Sequence, residues 1–522
     1  MTIFLSGPMG AGKSTTLGPL ATRLGGEAVD LDRTIEAREG ASVAEIFAAH
    51  GERGFREIER EVLAEVLARD PAVVALGGGT VTDRATRHAL LARGTLITLA
   101  APVPVLAERI GTEGTRPLLA GTEPREVVLS RLLEARAEAY AECHATLDTQ
   151  SASIEELLMR IAHVHAMRAL VVPLGRRSYR VHVGVGLAER LGRELMDTRA
   201  RGTALVVSDL HTQPYGAAAR AVAERLGRRA IEVVLPAGEA HKTLGSVEAV
   251  WNAALDAQLD RHALVLAVGG GVVGDLAGFA AATLMRGVAC AQIPTSLLAM
   301  VDASVGGKTA IDRPQGKNLV GAFHQPSFVI ADLAALATLP RRERVSGLAE
   351  VAKAAWLEGE NDVARLEATA DRLLAGDLDA LEEATRRAIR TKIAHVAADE
   401  TETGVRMHLN LGHTLGHAIE AASGYARSHG ECVALGMVAA LRVGAALGDA
   451  RREDVVRASA LLARLGLPVE VDGLLDDALA PRLAADKKGE GGAVRFVVPG
   501  APGNARVQRL PISEILALAR TR

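Results

Sequence analysis

The chain has 522 residues, 48% of them hydrophobic, 24% charged and 2% aromatic, with a formal net charge of −3. Those proportions describe a globular protein with cores of Ala, Val and Leu, and the length allows about three folding units. They exclude the basic footprint of a nucleic-acid binder or of a protein held to an anionic membrane, and no run reaches the ~18 apolar residues of a membrane span.

The chain opens with an apolar run, Thr2–Ser6, which predicts a buried strand, and Thr15 to Leu24 predicts a helix. Between them, Gly7-Pro8-Met9-Gly10-Ala11-Gly12-Lys13-Ser14 fits the phosphate-loop pattern G-x-x-x-x-G-K-[ST] in its required strand–loop–helix setting. Backbone N–H groups over Gly10, Ala11, Gly12 and Thr15 would cradle nucleotide phosphates, Lys13 would reach the β- and γ-phosphates, and Ser14 would bind Mg²⁺. With a strand at the very start, no signal peptide is expected. Cys143, Cys290 and Cys432 are far apart and odd in number. This predicts a reducing, cytoplasmic location, and neither a disulfide framework nor a cysteine metal site.

Further strands are predicted at Ala72–Leu76 and Thr95–Ala100, and Ser153 with Glu156 forms a capping-box pattern for a helix ending near His165. The pattern restarts as a hairpin around Gly175, placing one boundary near residues 165–168. Strands near Ala204–Ser208, Ala230–Leu235, Ala263–Val268 and Val288–Ile293 follow, and beyond about residue 335 the pattern becomes mainly helical. The expected fold class is α/β: a three-layer phosphate-loop kinase-like domain over 1–165, a dinucleotide-binding α/β domain over 168–335, and a mainly helical domain over 336–522.

In the first unit, Asp30 and Asp32 stand at a strand end, two residues apart, where a strand would show both carboxylates on one face. One could serve Mg²⁺ and the other an acceptor hydroxyl, though solvated loop aspartates read equally well. Then come Arg56, Gly77-Gly78-Gly79 after a buried strand, Arg116-Pro117-Leu118-Leu119, and Arg136 ahead of Tyr140. Glycines after a strand admit close backbone approach, and arginines suit carboxylate or phosphate. Taken in order, these residues resemble shikimate kinase over residues 1 to about 160. The resemblance implies ATP with Mg²⁺, the metal served by Ser14 and Asp30. Shikimate would be held by Asp32, Arg56, Arg136 and the Gly77–Gly79 backbone, with Asp32 near the accepting hydroxyl and Arg116 on a lid over the phosphates. Other phosphate-loop kinases of small molecules, such as gluconate kinase, are the alternative.

In the second unit, Gly269-Gly270-Gly271-Val272-Val273-Gly274 fits G-x-G-x-x-G after a strand, but the acidic residue a Rossmann site wants ~20 positions on is missing. Gly306-Gly307-Lys308-Thr309 imitates a phosphate loop with Asp302 where its first glycine should be. His413 and His417 lie one helical turn apart, His429 sits in a polar loop, and Glu350 lies in an apolar helical stretch with Lys353. Imidazoles and a carboxylate suit catalytic zinc, and spacing alone pairs His413 with His417. A Glu350–Lys353 helix salt bridge with unrelated histidines is the plain alternative.

The segment from 168 to about 500 closely resembles 3-dehydroquinate synthase, through Pro236–Glu239 with Lys242, Gly269–Asp275, Met285–Gly287, Pro294–Ser296, Asp302–Lys308, Lys317-Asn318, Thr338–Pro340, Gly347–Lys353, Lys392, Arg406, Asn410–Glu420, His429–Glu431 and Asp486–Lys488. The resemblance implies zinc, or cobalt in its place, on Glu350, His413 and His429, leaving His417 for the substrate. It implies NAD⁺ on Asp209, Glu239, Lys242, Gly270, Gly271, Val272, Asp275, Thr295, Ser296 and Thr338. Asp302, Lys308, Lys317, Asn318, Lys353, Lys392, Arg406, Asn410 and His417 would surround 3-deoxy-D-arabino-heptulosonate 7-phosphate, as would one of Lys487 and Lys488. Arg286 would join the phosphate site from a partner subunit, since the family is dimeric. The expected protein is thus a two-enzyme fusion acting on small molecules, a homodimer through the second unit, with no nucleic-acid or membrane partner. A related sugar-phosphate cyclase, a metal- and NAD-dependent polyol dehydrogenase, or a nucleotide-sensing regulator on enzyme folds are the alternatives.

Overall fold

The apolar opening run forms strand β1 (Thr2–Ser6), buried at every position. In the computed structural model, which describes residues 1–110, 123–486 and 492–521, it is the middle strand of a five-stranded sheet. With β2 (Ala28–Asp30), β3 (Val73–Ala75), β4 (Gly94–Ala100) and β5 (Ala145–Asp148) the order is β2-β3-β1-β4-β5, all pairs parallel. Alternate residues feed two cores. Phe4, Val74 and Leu96 pack with Phe55 and Val62 on one side, and Ile3, Leu5, Val73 and Ile97 pack with Leu17 and Leu20 on the other. Each such side chain removed from water contributes about 1.5–3 kcal/mol, so a sheet apolar on both faces is stable only between helical layers. The carboxyl ends of β1, β2 and β3, side by side, carry the phosphate loop, Asp30 and Gly77–Gly79 respectively.

Helix α1 (Lys13–Leu24) opens from the loop, with Gly12 at φ +90° as its cap. Asp30 and Asp32 do not share a strand face: β2 stops at Asp30, which caps α2 (Leu31–Glu39) by accepting from the Arg33 N–H, and Asp32 lies in the first helical turn. The short acidic side chain competes for the backbone and ends the strand there. Helix α3 (Val43–Ala68) follows. The expected capping box is present, with Ser153 and Glu156 opening Ile154–Ala166.

Strands β6 (Leu170–Val172) and β7 (Tyr179–Gly184) stand where the restart was expected. The chain divides into the units Met1–Arg180 and Val181–Arg522, so the division falls inside β7. The second unit is built on β8 (Ala204–Asp209), β9 (Ala230–Leu235), β10 (Leu264–Gly269), β11 (Ala289–Pro294) and β14 (Phe328–Asp332). Their order is β14-β11-β10-β8-β9, and all these pairs are parallel. Helix α4 (Gly271–Thr283) leaves the end of β10 through the glycine run. Gly306-Gly307 leads not into a helix but into strand β12 (Lys308–Arg313), antiparallel to β13 (Gly316–Phe323). That removes any phosphate-loop reading of Lys308, because the motif needs a helix N-terminus.

The remainder is mainly helical: α5 (Arg341–Glu358), α6 (Leu378–Ala398), α7 (His413–Ala422) and α8 (His429–Ala446) among others. An antiparallel pair, β15 (Ala493–Pro499) with β16 (Ala505–Pro511), comes near the end. In α5 every residue from Val345 to Trp356 is buried, the mark of a helix surrounded by others. His429 does not lie in a loop. It is the first residue of α8, where Ser428 and Glu431 form a capping box that the polar character of the stretch concealed.

Candidate active sites

In the first unit the phosphate loop, Asp30, Asp32, Arg56, Gly77–Gly79 and Arg136 line one cavity of about 820 Å³. Gly7 is forced: at φ +131° its place leaves a Cβ 2.1 Å from the Leu99 carbonyl oxygen. Lys13 Nζ donates to the Gly7 and Pro8 carbonyls at 2.7 and 3.0 Å, which holds the ammonium over the loop. Ser14 Oγ donates to Asp30 Oδ2 at 2.9 Å, putting the two groups expected to serve Mg²⁺ in contact. Arg136 Nη1 and Tyr140 Oη both donate to the Gly78 carbonyl, at 2.9 and 2.6 Å. A Cβ on Gly79 would stand 2.0 Å from Arg56 Nη2, so only glycine lets that guanidinium lie across the backbone.

Glu59 was not anticipated. Its buried carboxylate accepts from Arg56 Nη1 at 2.7 Å and from Thr80 Oγ1 at 2.6 Å, so it orients Arg56 towards the cavity. Its one sequence signal is its position three residues after Arg56 on α3. Arg109 and Thr149, also unanticipated, line the same cavity and are hydrogen-bonded to each other at 2.9 Å. Arg116 and the Gly111–Thr115 stretch lie outside the described residues, as do Lys487 and Lys488.

In the second unit Glu350, His413 and His429 come together from three helices. Glycines permit the approach: a Cβ on Gly430 would lie 2.0 Å from the Ser346 carbonyl oxygen, and one on Gly436 would lie 1.9 Å from that of Gly412. Close backbone contact brings α8 against α5 and α7, which sets the first residues of α7 and α8 over the middle of α5. Glu350 Oε1 lies 3.5 Å from His413 Nε2 and 3.6 Å from His429 Nε2. These separations are close to those within a tetrahedral zinc shell, roughly 3.3–3.5 Å for bonds of about 2.0–2.1 Å. Glu350 Oε1 is buried and has no hydrogen-bond partner, a costly arrangement that one cation among the three ligands would relieve. The donor set therefore fits a divalent metal. His417, His429 and Glu420 form a second, overlapping group.

Electrostatics set the two imidazoles apart. Burial, with the Lys353 ammonium, pushes the His413 pKa well down, leaving a neutral imidazole able to donate its lone pair. Burial works against a charged His429 as well, but the Glu350 and Glu420 carboxylates outweigh it and hold its pKa at about 9. Burial would raise the Asp302 carboxyl, yet the Lys392 and Lys353 ammoniums pull it well below the usual range. Lys392 meets both the side chain and the carbonyl of Asp302, and Lys353 pairs with Glu350, so the salt bridge and the metal cluster coexist. Arg406, buried, donates to the Gly306 carbonyl at 2.8 Å and to that of Glu400.

The residues expected around the dinucleotide gather at the carboxyl ends of β8, β10 and β11. Asp209 ends β8, Gly270 and Gly271 start α4, and Thr295-Ser296 follow β11. Lys242 donates to Asp275 at 2.6 Å, and Thr338 Oγ1 is 2.7 Å from Tyr215 Oη. Lys317 and Asn318, expected among the substrate residues, lie beside the dinucleotide group. Lys317 reaches Glu239 at 3.3 Å and Glu420 at 2.9 Å, and Asn318 meets Lys242. Arg286 is exposed on a turn at φ +67°, and among the described residues it makes no hydrogen bond or ion pair with the other expected site residues.

With this geometry in place, the comparisons decide the families. Residues 232–346 match the 3-dehydroquinate synthase N-terminal model, 347–489 the C-terminal model of the same enzyme, and 9–165 the shikimate kinase model. The 3-dehydroquinate synthase of Symbiobacterium thermophilum is 47% identical over 341 residues, 64% of this chain and 94% of that one. The chain belongs to the 3-dehydroquinate synthase family, with a shikimate kinase unit ahead of it. A shikimate kinase from Acinetobacter baumannii, solved with shikimate, is 39% identical to the kinase unit; the match covers 31% of this chain and 91% of that one, with a TM-score of 0.30. For the synthase unit, a 2-epi-5-epi-valiolone synthase from Streptomyces hygroscopicus, solved with NAD⁺ and Zn²⁺, is 28% identical at a TM-score of 0.59, covering 65% of this chain and 95% of that one. Both units are enzymes of their families. No helix of the described residues is long and apolar enough to cross a membrane.

Proposed function

We propose that the kinase unit transfers the γ-phosphoryl group of ATP to shikimate, and that the synthase unit converts 3-deoxy-D-arabino-heptulosonate 7-phosphate to 3-dehydroquinate and phosphate. In the kinase cavity the loop amides and Lys13 hold the β- and γ-phosphates, while Ser14 and Asp30 would hold Mg²⁺, which neutralises charge on the transferring group. Asp32 faces the acceptor hydroxyl and takes its proton. Arg56, Arg136 and the Gly77–Gly79 backbone hold the carboxylate and hydroxyls of shikimate.

In the synthase unit Glu350, His413 and His429 would hold zinc or cobalt. The strand ends with Asp209, Glu239, Lys242, Gly270, Gly271, Val272, Asp275, Thr295, Ser296 and Thr338 would hold NAD⁺. When bound, the metal would supply Lewis-acid polarisation of the alcohol to be oxidised, and NAD⁺ would supply reversible hydride acceptance. Arg406, Lys392 and Lys308 offer cations to the carboxylate and phosphate of the substrate, and Asn410 offers an amide. Asp302 pairs with Lys392 and opposes the loss of its charge on burial, and His417 would move a proton as phosphate leaves. Because oxidation is reversed within one turnover, no net NADH forms.

The observation that carries the synthase reading is the buried Glu350 oxygen without a hydrogen bond, facing two imidazole nitrogens. We also propose a homodimer through the synthase unit, since exposed Arg286 makes no hydrogen bond or ion pair with the other expected site residues among the described residues, and a cytoplasmic location, in keeping with three free cysteines, all buried. The test supplies the full chain with each substrate separately. ADP should form with shikimate and ATP, and phosphate without accumulating NADH should form with the heptulosonate phosphate and NAD⁺. Silence on either substrate rejects that half of the reading, and net NADH would point to a dehydrogenase. Light scattering after size exclusion tests the dimer.

A further inference from the structure

Acids are paired with lysines throughout the synthase cleft: Asp275 with Lys242, Asp302 with Lys392, Glu350 with Lys353, and Glu402 with Lys308. The first three acids have a part in the reading above, and Glu402 has none. Its position is built. Asp399 accepts from the backbone N–H groups of Thr403, Gly404 and Arg406 at 3.0, 2.6 and 3.2 Å, which fixes the loop. Within that loop Glu402 takes a left-handed backbone at φ +62°, unusual for a residue with a Cβ and kept only where the surroundings enforce it. One of its carboxylate oxygens accepts from Asn410 Nδ2 at 2.5 Å, and the other meets Lys308 Nζ. The Arg406 guanidinium adds attraction from nearby. A carboxylate of the chain thus rests on the lysine and amide assigned to the anionic groups of the substrate.

We propose that Lys308 and Asn410 form the phosphate subsite and that Glu402 is its internal competitor: it pairs with them when the subsite holds no anion, yields to the phosphate monoester of the substrate, and returns as the product phosphate leaves. The inference rests on the synthase reading. Two anions cannot share one ammonium without mutual repulsion, so a phosphate entering here displaces the carboxylate. A ligand that must break an internal pair binds more weakly by the cost of breaking it. The substrate, held also through its carboxylate and hydroxyls, can meet that cost. Free phosphate has no such help, so product leaves readily.

The experiment uses the full chain loaded with NAD⁺ and zinc, and measures binding of inorganic phosphate by calorimetry and phosphate inhibition of the synthase reaction. Glu402→Gln keeps the shape and removes the charge, and it should bind phosphate about tenfold more tightly. In a Lys308→Met background the same change should have little effect, which a merely structural role of Glu402 would not produce. Unchanged or weaker phosphate binding in Glu402→Gln, with a wild-type melting midpoint, overturns the proposal. If that variant does not fold, Glu402→Asp decides: its shorter side chain cannot span both partners, so tighter phosphate binding supports the proposal and wild-type affinity overturns it. A wild type that releases no phosphate from the heptulosonate phosphate would instead reject the synthase reading.

Discussion

The two sites are made from different materials. The kinase cavity leans on backbone beside its side chains: glycines at φ +131°, +77° and +90° shape the loop, Gly78 offers a carbonyl, and Gly79 makes room for a guanidinium. The synthase cleft is largely buried side chain, with acids and lysines paired ahead of any ligand and three helices pressed together to assemble one cluster. A backbone site presents dipoles that need no counter-ion, so it stays open. A site of buried charges must balance them internally, and a charged ligand then has to exchange with groups already there.

The largest effects should separate the two sites outright. Lys13→Ala should lower the kinase rate by about 10³-fold or more and leave the synthase rate alone, while His413→Ala should do the reverse. Both rates are measured on the same full-length preparation. Either substitution silencing both activities in a folded protein would break the separation.

Acid should reach the kinase unit through a group outside its active site. Glu142 is buried, receives Arg87 Nε at 2.5 Å and accepts from the Gly175 N–H at 2.9 Å. Burial opposes its charge, but His88, Arg87 and Gly175 together bring its pKa to about 2. The folded value lies below the unfolded one of about 4.3, so the stabilisation is complete above pH ~4.5 and is lost as pH falls towards 2. It amounts to about 3 kcal/mol, and Glu142→Gln should flatten the acid limb of the kinase unit's melting curve. An acid limb of unchanged shape would show that other carboxylates govern it.

Glycine substitutions sharpen the contrast between open loop and packed helices. Gly12→Ala puts a Cβ into open space at φ +90°, so its cost is backbone strain alone, about 1–2 kcal/mol. Gly430→Ala drives a Cβ against the Ser346 carbonyl and must separate α8 from α5, which carry two of the metal ligands. Zinc affinity, read by competition with a chelator, should fall about 10–100-fold in Gly430→Ala. It should not change in Gly12→Ala.

Legibility in the sequence followed the same division. The phosphate loop was readable because its function lies in contiguous backbone, and β1, β4 and the helix capped by Ser153 were readable from local pattern. The metal group was not readable from spacing, which favoured His413 with His417 because helical neighbours are all that spacing can express. Glu350 and His429 join His413 only through the close packing of α5, α7 and α8, and the resemblance supplied what periodicity could not. Glu402 and Glu59 escaped both routes. Glu402 acts from an irregular loop, and Glu59 looks like any acidic residue on an amphipathic helix until its burial is seen.

Glu59 supports the smallest and most discriminating prediction, because with its paired, buried charge the kinase site borrows the logic of the synthase. Its buried carboxylate fixes Arg56 and Thr80 at once, and a Cβ on Gly77 would stand 2.8 Å from its Oε1, so the groups are tightly fitted. Glu59→Gln keeps the volume and the bond to Thr80, but its single amide oxygen is then committed to Thr80 and an NH₂ donor faces the guanidinium, so the charge-assisted bond to Arg56 is lost. If Arg56 binds the carboxylate of shikimate, the KM for shikimate should rise about tenfold, with KM for ATP unchanged and kcat moving less, since Glu59 touches neither the phosphates nor the accepting hydroxyl. A rise in both KM values would mean that Glu59 supports the whole cavity and not Arg56 in particular. No change in either would show that the Gly77–Gly79 backbone holds the guanidinium by itself, and the kinase site would then be a backbone site throughout.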